Sequence, residues 1–249
     1  FQRKNVTLRK NVSNMKYPIG IQTFDKVIEG GYSYVDKTAL VYKMAHYAQN
    51  LFLSRPRRFG KSLLVSTLQA YFEGRKDLFK GLAIEKMEQE WEVYPVIHID
   101  MSRGKYYQLK NLHAILNGIL SNYEDLYHVG TLSENSDVYS ERLANIIAAA
   151  CQQTGKQVVV LIDEYDAPMH DSMNDEKLQN QIRNVLRDFF SPLKQQDANL
   201  RFVFITGISK FSQLSIFSEL NNLKILTMKN ESVSYTHLRA HETKANIVC

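Results

Sequence analysis

Apolar runs and amphipathic stretches alternate along this chain, and their order predicts the elements of its fold. Four apolar runs are typical of buried strands, and they lie at residues 51–53, 94–101, 158–162 and 201–206. Apolar residues recur with helical period at 39–49, 61–72, 109–123, 141–151 and 175–195, and a brief apolar segment follows at 223–227. This alternation predicts an α/β fold, a three-layer sandwich whose mostly parallel sheet has about five strands.

The first strand leads into a loop of the P-loop type. The loop has the sequence Ser54-Arg-Pro-Arg-Arg-Phe-Gly-Lys-Ser62, and a helical pattern follows at once. In a P-loop, G-x-x-x-x-G-K-[ST], backbone N–H groups and the positive end of the next helix surround a phosphate. Ser54 stands where the pattern has Gly, which is favoured there because the turn is tight. Ser is small, so this departure weakens the signal without removing it.

The loop supplies candidate contacts to a nucleotide. Lys61 is expected to reach the β- and γ-phosphates of ATP, and the Ser62 hydroxyl is expected to bind Mg²⁺. The alternative is a chance Gly-Lys-Ser at an ordinary strand-to-helix turn. The predicted nucleotide-binding residues are Ser54, Arg57, Arg58, Phe59, Gly60, Lys61, Ser62 and Leu63.

A second motif follows the apolar run at 158–162, which ends in Asp163 and Glu164. Ligands of open α/β sheets bind at the carboxyl ends of the strands. Asp163 is therefore predicted to hold Mg²⁺ together with Ser62, and Glu164 to activate the attacking water. The alternative is a buried strand followed by a polar turn without a catalytic role. Both motifs in this order predict a P-loop NTPase, and the adjacent Glu favours an ATPase. In the predicted sheet the strand at 95–101 separates the two motif-bearing strands.

Five further residues are weighed for the same predicted site. Thr206 ends the strand at 201–206 and is predicted to position the attacking water. Asp100 ends the strand at 94–101 and is a weaker candidate for the metal region, whereas His98 within that strand is predicted to be a packed core histidine. Arg183 and Arg187 are predicted to lie on a solvated helix face; the alternative is contact with the γ-phosphate of a neighbouring subunit in a homo-oligomer.

The composition is ordinary for a soluble globular protein, with 249 residues, 44% of them hydrophobic and 23% charged. No stretch has the length and apolarity of a membrane-spanning helix, and no signal peptide is evident. The two cysteines, Cys151 and Cys249, predict neither a disulfide framework nor a metal site. These features predict a cytoplasmic protein without a membrane partner.

The formal net charge of +5 comes from the two ends of the chain. Residues 1–14 carry four basic residues and no acid, and the body is neutral overall, so the charge does not support nucleic-acid binding.

The predicted domain covers 15–230. Residues 1–14 are expected to be a non-native or disordered extension, and 231–249 an artefactual or disordered tail. His237 and His241 in that tail have metal-ligand spacing but are not taken as a site.

The motifs together resemble the bacterial AAA-ATPase-like family. The shared pieces are Tyr17-Pro-Ile-Gly-Ile-Gln-x-Phe24, Tyr34-Val-Asp-Lys-Thr38, Arg55-Pro-Arg-Arg-Phe-Gly-Lys-Ser-Leu63, Leu161-Ile-Asp-Glu-Tyr-Asp166, Thr206-Gly-Ile-Ser-Lys-Phe211 and Phe217-Ser-x-Leu-Asn-Asn-Leu223. In this family Ser at position 54 is normal. Lys224-Ile-Leu226 departs from the family, which usually has an acidic residue there.

The resemblance implies an ATP-dependent motor or switch that uses Mg²⁺. Family members often continue into a helical lid and a nuclease-like domain of the PD-(D/E)xK type, neither of which this sequence contains, so a C-terminally truncated domain is expected. Three functions stay open at this point: ATP hydrolysis, a slowly hydrolysing nucleotide-gated switch that acts on an unknown protein partner, and an accessory module of a nucleic-acid-processing protein. No guanine-reading motif is evident.

Overall fold

The computed structural model describes residues 16–130, 138–209, 216, 217, 220 and 222–226. The strands are β1 (Asn50–Ser54), β2 (Val96–Asp100), β3 (Val158–Asp163), β4 (Leu200–Gly207) and β5 (Lys224–Ile225). The helices are α1 (Phe24–Glu29), α2 (Thr38–Tyr47), α3 (Lys61–Phe72), α4 (Leu109–Leu126), α5 (Tyr139–Thr154), α6 (Ala167–Asp171), α7 (Glu176–Phe190) and α8 (Pro192–Gln195). Short 3₁₀ turns lie at Lys76–Phe79, Ala83–Lys86, Met101–Arg103 and Asp197–Asn199.

The five strands form one parallel sheet in the order β2-β3-β4-β1-β5. The predicted α/β class and the five-stranded sheet are therefore confirmed. Another strand separates the strand before the P-loop from the strand that ends in Asp163, as predicted. The prediction that this is the strand at 95–101 was wrong, because β4 lies between β1 and β3. That separating strand comes late in the sequence, whereas β2, which lies between the two motifs in the chain, occupies an edge of the sheet.

Two apolar cores cover the two faces of the sheet, because successive side chains of a strand point to opposite sides. Val159 and Leu161 of β3 pack in one core with residues of α2 and α3. Val160 and Ile162 pack in the other core with residues of α4, α5 and α7. Helices therefore lie on both faces, which is the predicted three-layer sandwich.

The prediction of one long helix at 175–195 was wrong. α7 ends at Phe190, and a separate short helix, α8, begins at Pro192. Proline has no N–H to donate to the preceding turn, and its ring clashes with that turn in a helix interior. At the first position of a helix neither penalty applies, so Pro192 begins α8 instead of continuing α7.

The other predicted elements occur with small shifts of their ends. α3 covers 61–72 as predicted, whereas α4 extends to Leu126 and α5 covers Tyr139–Thr154. The segment predicted at 223–227 contains the short edge strand β5. The extension 1–14 and the tail 231–249 lie outside the described residues. No helix in the described ranges has both the length and the apolarity needed to cross a membrane.

Candidate functional site

The polar residues picked out from the sequence meet at the carboxyl edge of the sheet. Since the strands are parallel, β1, β3 and β4 all end at this edge. The register places Ser54 opposite Gly207 and Asp100 opposite Asp163. The loop after β1 and the turn after β3 therefore belong to one site.

The loop after β1 is attached to the end of β4. The Ser54 hydroxyl donates to the Ile208 carbonyl at 2.8 Å, and the Arg55 N–H donates to the Gly207 carbonyl at 3.0 Å. Beyond these contacts Arg57 and Arg58 are exposed, and Arg58 has a φ of 65°. Gly60, with a φ of 69°, turns the chain into α3 in a conformation that glycine adopts without steric cost. The loop thus has a fixed start and turns sharply at both Arg58 and Gly60.

The N-terminus of α3 is open to an anion. The helix begins at Lys61, and among the described residues no side chain caps it. The N–H groups of the first turn point out of a helix end that carries partial positive charge. The first turn comprises Lys61, Ser62 and Leu63. The Leu63 side chain packs on the apolar core, so only its backbone is suited to a phosphate contact.

Lys61 is held among carboxylates beneath the loop. Its side chain is buried, and its Nζ donates to the Pro56 carbonyl at 3.2 Å. Burial lowers the pKa of Lys61 below its usual value, while Glu164, Asp163 and Asp166 act in the opposite direction. The ammonium group is therefore poised in a partly desolvated site, where contact with a phosphate would strengthen its ionisation.

Asp163 is the buried acid of the site. Burial raises its pKa from 3.8 to about 6, against the hydrogen bond with the Ser62 side chain, which lowers it, while the nearby charge of Asp100 raises it further. Its Oδ1 has no hydrogen-bond partner among the described residues. A buried carboxylate oxygen that lacks a donor, next to a hydroxyl, fits a hard cation such as Mg²⁺.

Ser62 and Asp163 do not by themselves form a complete set of metal ligands. Within the described ranges, no group of three or more His, Cys, Asp or Glu side chains is arranged to hold a metal. Mg²⁺ is commonly bound by one or two carboxylates together with substrate phosphates and water. Ser62 and Asp163 fit that mode of binding.

Glu164 lies directly beyond Asp163 in an unusual backbone conformation. Its φ is 50°, in the left-handed region that few residues other than glycine adopt, and its carbonyl accepts a hydrogen bond from Ala167 N at 2.9 Å. The strained turn brings the half-buried Glu164 side chain near Asp163 and Lys61, whose pKa values both respond to its charge. Non-glycine residues in such conformations cluster at functional sites.

Thr206 lies at the same edge but is completely buried. It pairs with Leu53, its carbonyl accepts from Tyr165 N at 3.1 Å, and its Oγ1 has no partner among the described residues. The structure therefore brings Thr206 next to the P-loop strand and the acidic turn. Its role in positioning water stays a prediction.

Other sequence candidates have local partners or lie farther from this edge. Asp100 accepts from Ser102 N at 2.9 Å and forms an ion pair with Arg103. Burial lowers the pKa of His98, which fits a packed histidine of β2. Arg183 donates to Asn180 and Gln179 of its own helix. His237 and His241 lie outside the described residues.

One buried acid at this edge received no role from the sequence. Asp166, three residues after Asp163, is completely buried at the end of the turn. The signal in the sequence is its position as the third carboxylate of Asp163-Glu-Tyr-Asp166. Spacing along the chain did not reveal which groups its side chain contacts.

Comparison with known proteins shows the family of this chain. A family model described as AAA-ATPase-like, "Predicted AAA-ATPase", matches residues 18–217. A protein of Azotobacter chroococcum mcd 1, described as "Uncharacterized protein in vnfD 5'region", is 39% identical over 214 residues, which is 85% of this chain. The matched part is 41% of that protein, so the chain spans less than half of the relative's length.

Asp163→Asn is expected to stabilise the metal-free protein at neutral pH. Because the pKa of Asp163 rises from 3.8 to about 6 on folding, the folded state binds its proton more tightly, and stability falls as pH increases through this window. The neutral amide removes that loss, which amounts to roughly 3 kcal/mol of unfolding free energy near pH 8 and about half of that near pH 5. Urea unfolding in a chelating buffer measures the difference.

Asp125→Asn on the exposed surface of α4 is the matched control for this measurement. It is expected to change the unfolding free energy little at either pH. The raised pKa of Asp163 would be contradicted if the Asp163→Asn protein were less stable than the parent near neutral pH. It would also be contradicted if the difference in unfolding free energy did not depend on pH.

Proposed function

Because this chain belongs to the AAA-ATPase-like family, we propose that it binds ATP with Mg²⁺ and hydrolyses the bond between the β- and γ-phosphates. The observation that carries the proposal is the joint placement of Lys61, Ser62 and Asp163 at the uncapped N-terminus of α3. Glu164 adjoins them on a strained turn. An anion site, a cation site and a candidate base therefore share one edge of the sheet.

Each residue has a distinct part in the proposed reaction. The N–H groups at the start of α3 and the Lys61 ammonium bind the β- and γ-phosphates. Ser62 and Asp163 would hold Mg²⁺, which supplies charge neutralisation on the phosphate oxygens when bound. Arg57 and Arg58, exposed beside Phe59, add positive charge around the phosphates.

Glu164 is the proposed general base. A water oxygen attacks the γ-phosphorus, its proton passes to the Glu164 carboxylate, and the bond to the β-phosphate oxygen breaks to release ADP and phosphate. Thr206 is the proposed water-positioning residue. Its buried Oγ1, without a hydrogen-bond partner among the described residues, supports that assignment.

Coupling of the nucleotide state to another segment or to a protein partner belongs to the same proposal. The greater length of the Azotobacter relative supports it, because further segments accompany the matched region in that protein. A slowly hydrolysing switch would use the same binding residues and differ in its turnover rate. The overall neutral charge of residues 15–233 gives no support to a role in nucleic-acid binding.

Lys61→Ala is expected to weaken ATP binding roughly 10- to 100-fold, since it removes a charge-assisted contact to the phosphates. Isothermal titration calorimetry with Mg²⁺ and ATP measures the effect, and GTP in the same experiment tests the choice of base. Lys43→Ala, on the exposed face of α2, is the matched control and should bind as the parent does. Equal affinities of the Lys61→Ala protein and the parent would refute the phosphate site.

Glu164→Gln is expected to keep ATP binding and lower turnover at least ~10²-fold, because the amide cannot take up the proton. Phosphate release under saturating ATP measures turnover, and calorimetry measures binding. Glu90→Gln at an exposed position is the control. Unchanged turnover in the Glu164→Gln protein would exclude Glu164 as the base, while a parent that binds ATP without turnover would favour the switch.

A further inference from the structure

The buried carboxylate of Asp166 connects two segments that are far apart in the sequence. Its Oδ2 accepts from Ser209 N at 2.6 Å, and Ile208 N lies 3.0 Å from Oδ2 and 3.2 Å from Oδ1. The Oδ2 atom also lies 3.2 Å from His170 Nε2, one turn along α6. The two backbone N–H groups belong to the loop that follows β4. Asp166 therefore attaches that loop to the turn that follows β3.

A second contact holds the same loop from the neighbouring residue. The Tyr165 hydroxyl donates to the Ser209 carbonyl at 2.5 Å. Between these contacts the backbone at position 207 lies so close to Tyr165 and Asp166 that only glycine fits there. A Cβ there would lie 2.4 Å from Tyr165 Cε1 and 2.6 Å from Asp166 Oδ1. Residues 207–209, here called the β4 loop, are thus packed directly on the turn after β3.

The β4 loop also holds the start of the P-loop. Gly207 and Ile208 provide the carbonyls that accept from Arg55 N and from the Ser54 hydroxyl. One continuous set of hydrogen bonds therefore leads from the turn that carries Glu164, through the β4 loop, to Ser54. Thr206 lies at the base of this loop.

We propose that Asp166 is a positioning residue whose carboxylate locks the β4 loop onto the turn after β3. The lock holds Thr206 and the start of the P-loop in a fixed position relative to Glu164. Its catalytic consequence rests on the proposed function, since it presumes that Glu164 and Thr206 act on water at the γ-phosphate. A displacement of about 1 Å between reacting groups lowers rates as much as 10²-fold, so such a lock affects turnover more than binding.

Amide hydrogen exchange of the nucleotide-free protein tests the lock directly. The N–H groups of Ile208 and Ser209 are expected to exchange nearly as slowly as that of Val203, which donates to the Gln49 carbonyl within the sheet. Fast exchange at both loop positions in the parent would overturn the proposal without any variant. Because it uses only the parent protein, this measurement also tests the lock if a variant does not fold.

Asp166→Asn is expected to raise the exchange rate at Ile208 and Ser209 at least ~10-fold, because one of the two accepting oxygens becomes an amide donor. The exchange of Val203 should stay unchanged. Asp171→Asn is the matched control, since Asp171 is the last residue of the helix that follows Asp166 but accepts from Tyr106 N at 3.2 Å. Unchanged exchange at both loop positions in a folded Asp166→Asn protein would overturn the lock.

The catalytic consequence is measured per ATP-binding molecule, well below the melting temperature. Asp166→Asn is expected to lower kcat at least ~10-fold while the Kd for ATP changes less than ~3-fold. In the Glu164→Gln background the same substitution should have little further effect, because the base relative to which the lock holds Thr206 is already lost. Effects of the two substitutions on kcat that simply add, or an unchanged kcat in the Asp166→Asn protein, would overturn the positioning role. A parent protein that binds ATP but does not hydrolyse it would refute the proposed hydrolysis. In that case the amide exchange rates of Ile208 and Ser209 still decide whether the lock exists.

Discussion

Parallel pairing of β4 with β1 on one side and β3 on the other is the constraint on which the site depends. Because the three strands run in the same direction, the loop after β1, the turn after β3 and the loop after β4 leave the sheet at one edge. Pairing of Ser54 with Gly207 places the start of the P-loop against the end of β4. The apolar cores on both faces stabilise this register, since a slip by one residue would turn every buried side chain to the wrong face.

The same edge concentrates charged groups that would be costly to bury without compensation. Lys61 is buried among acids, and Asp163 is 4% exposed with a raised pKa. A buried carboxylate without full pairing lowers the stability of the fold. Binding of a cation to Asp163 would supply an opposite charge to its unpaired oxygen. The electrostatics of the ligand-free fold thus agree with the proposed cation site at Asp163.

Asp166 contrasts with Asp163, although both are buried acids of one motif. The Asp166 oxygens accept backbone N–H groups at Ile208 and Ser209, so its hydrogen bonds are satisfied within the fold. Asp163 has an oxygen without a donor among the described residues. A carboxylate whose oxygens are paired with the backbone is suited to holding structure, and one with an unpaired oxygen is suited to holding a ligand. Two residues of the same type, three positions apart, therefore have different surroundings, which suit them to different roles.

The sequence by itself determined the class of fold and the ends of α3, and it predicted Lys61, Ser62, Asp163 and Glu164 as site residues. These features depend on local periodicity and on spacing along the chain, which the covalent order preserves. Pro192 also marked the end of α7 in the sequence, although the apolar pattern of 175–195 concealed it. Only the tertiary structure decided that β4 separates β1 from β3, that Thr206 is fully buried, and that Asp166 contacts Ser209, 43 residues away. These facts depend on pairing between distant segments, which is selected by packing of the whole sheet and leaves no periodic signal in the chain.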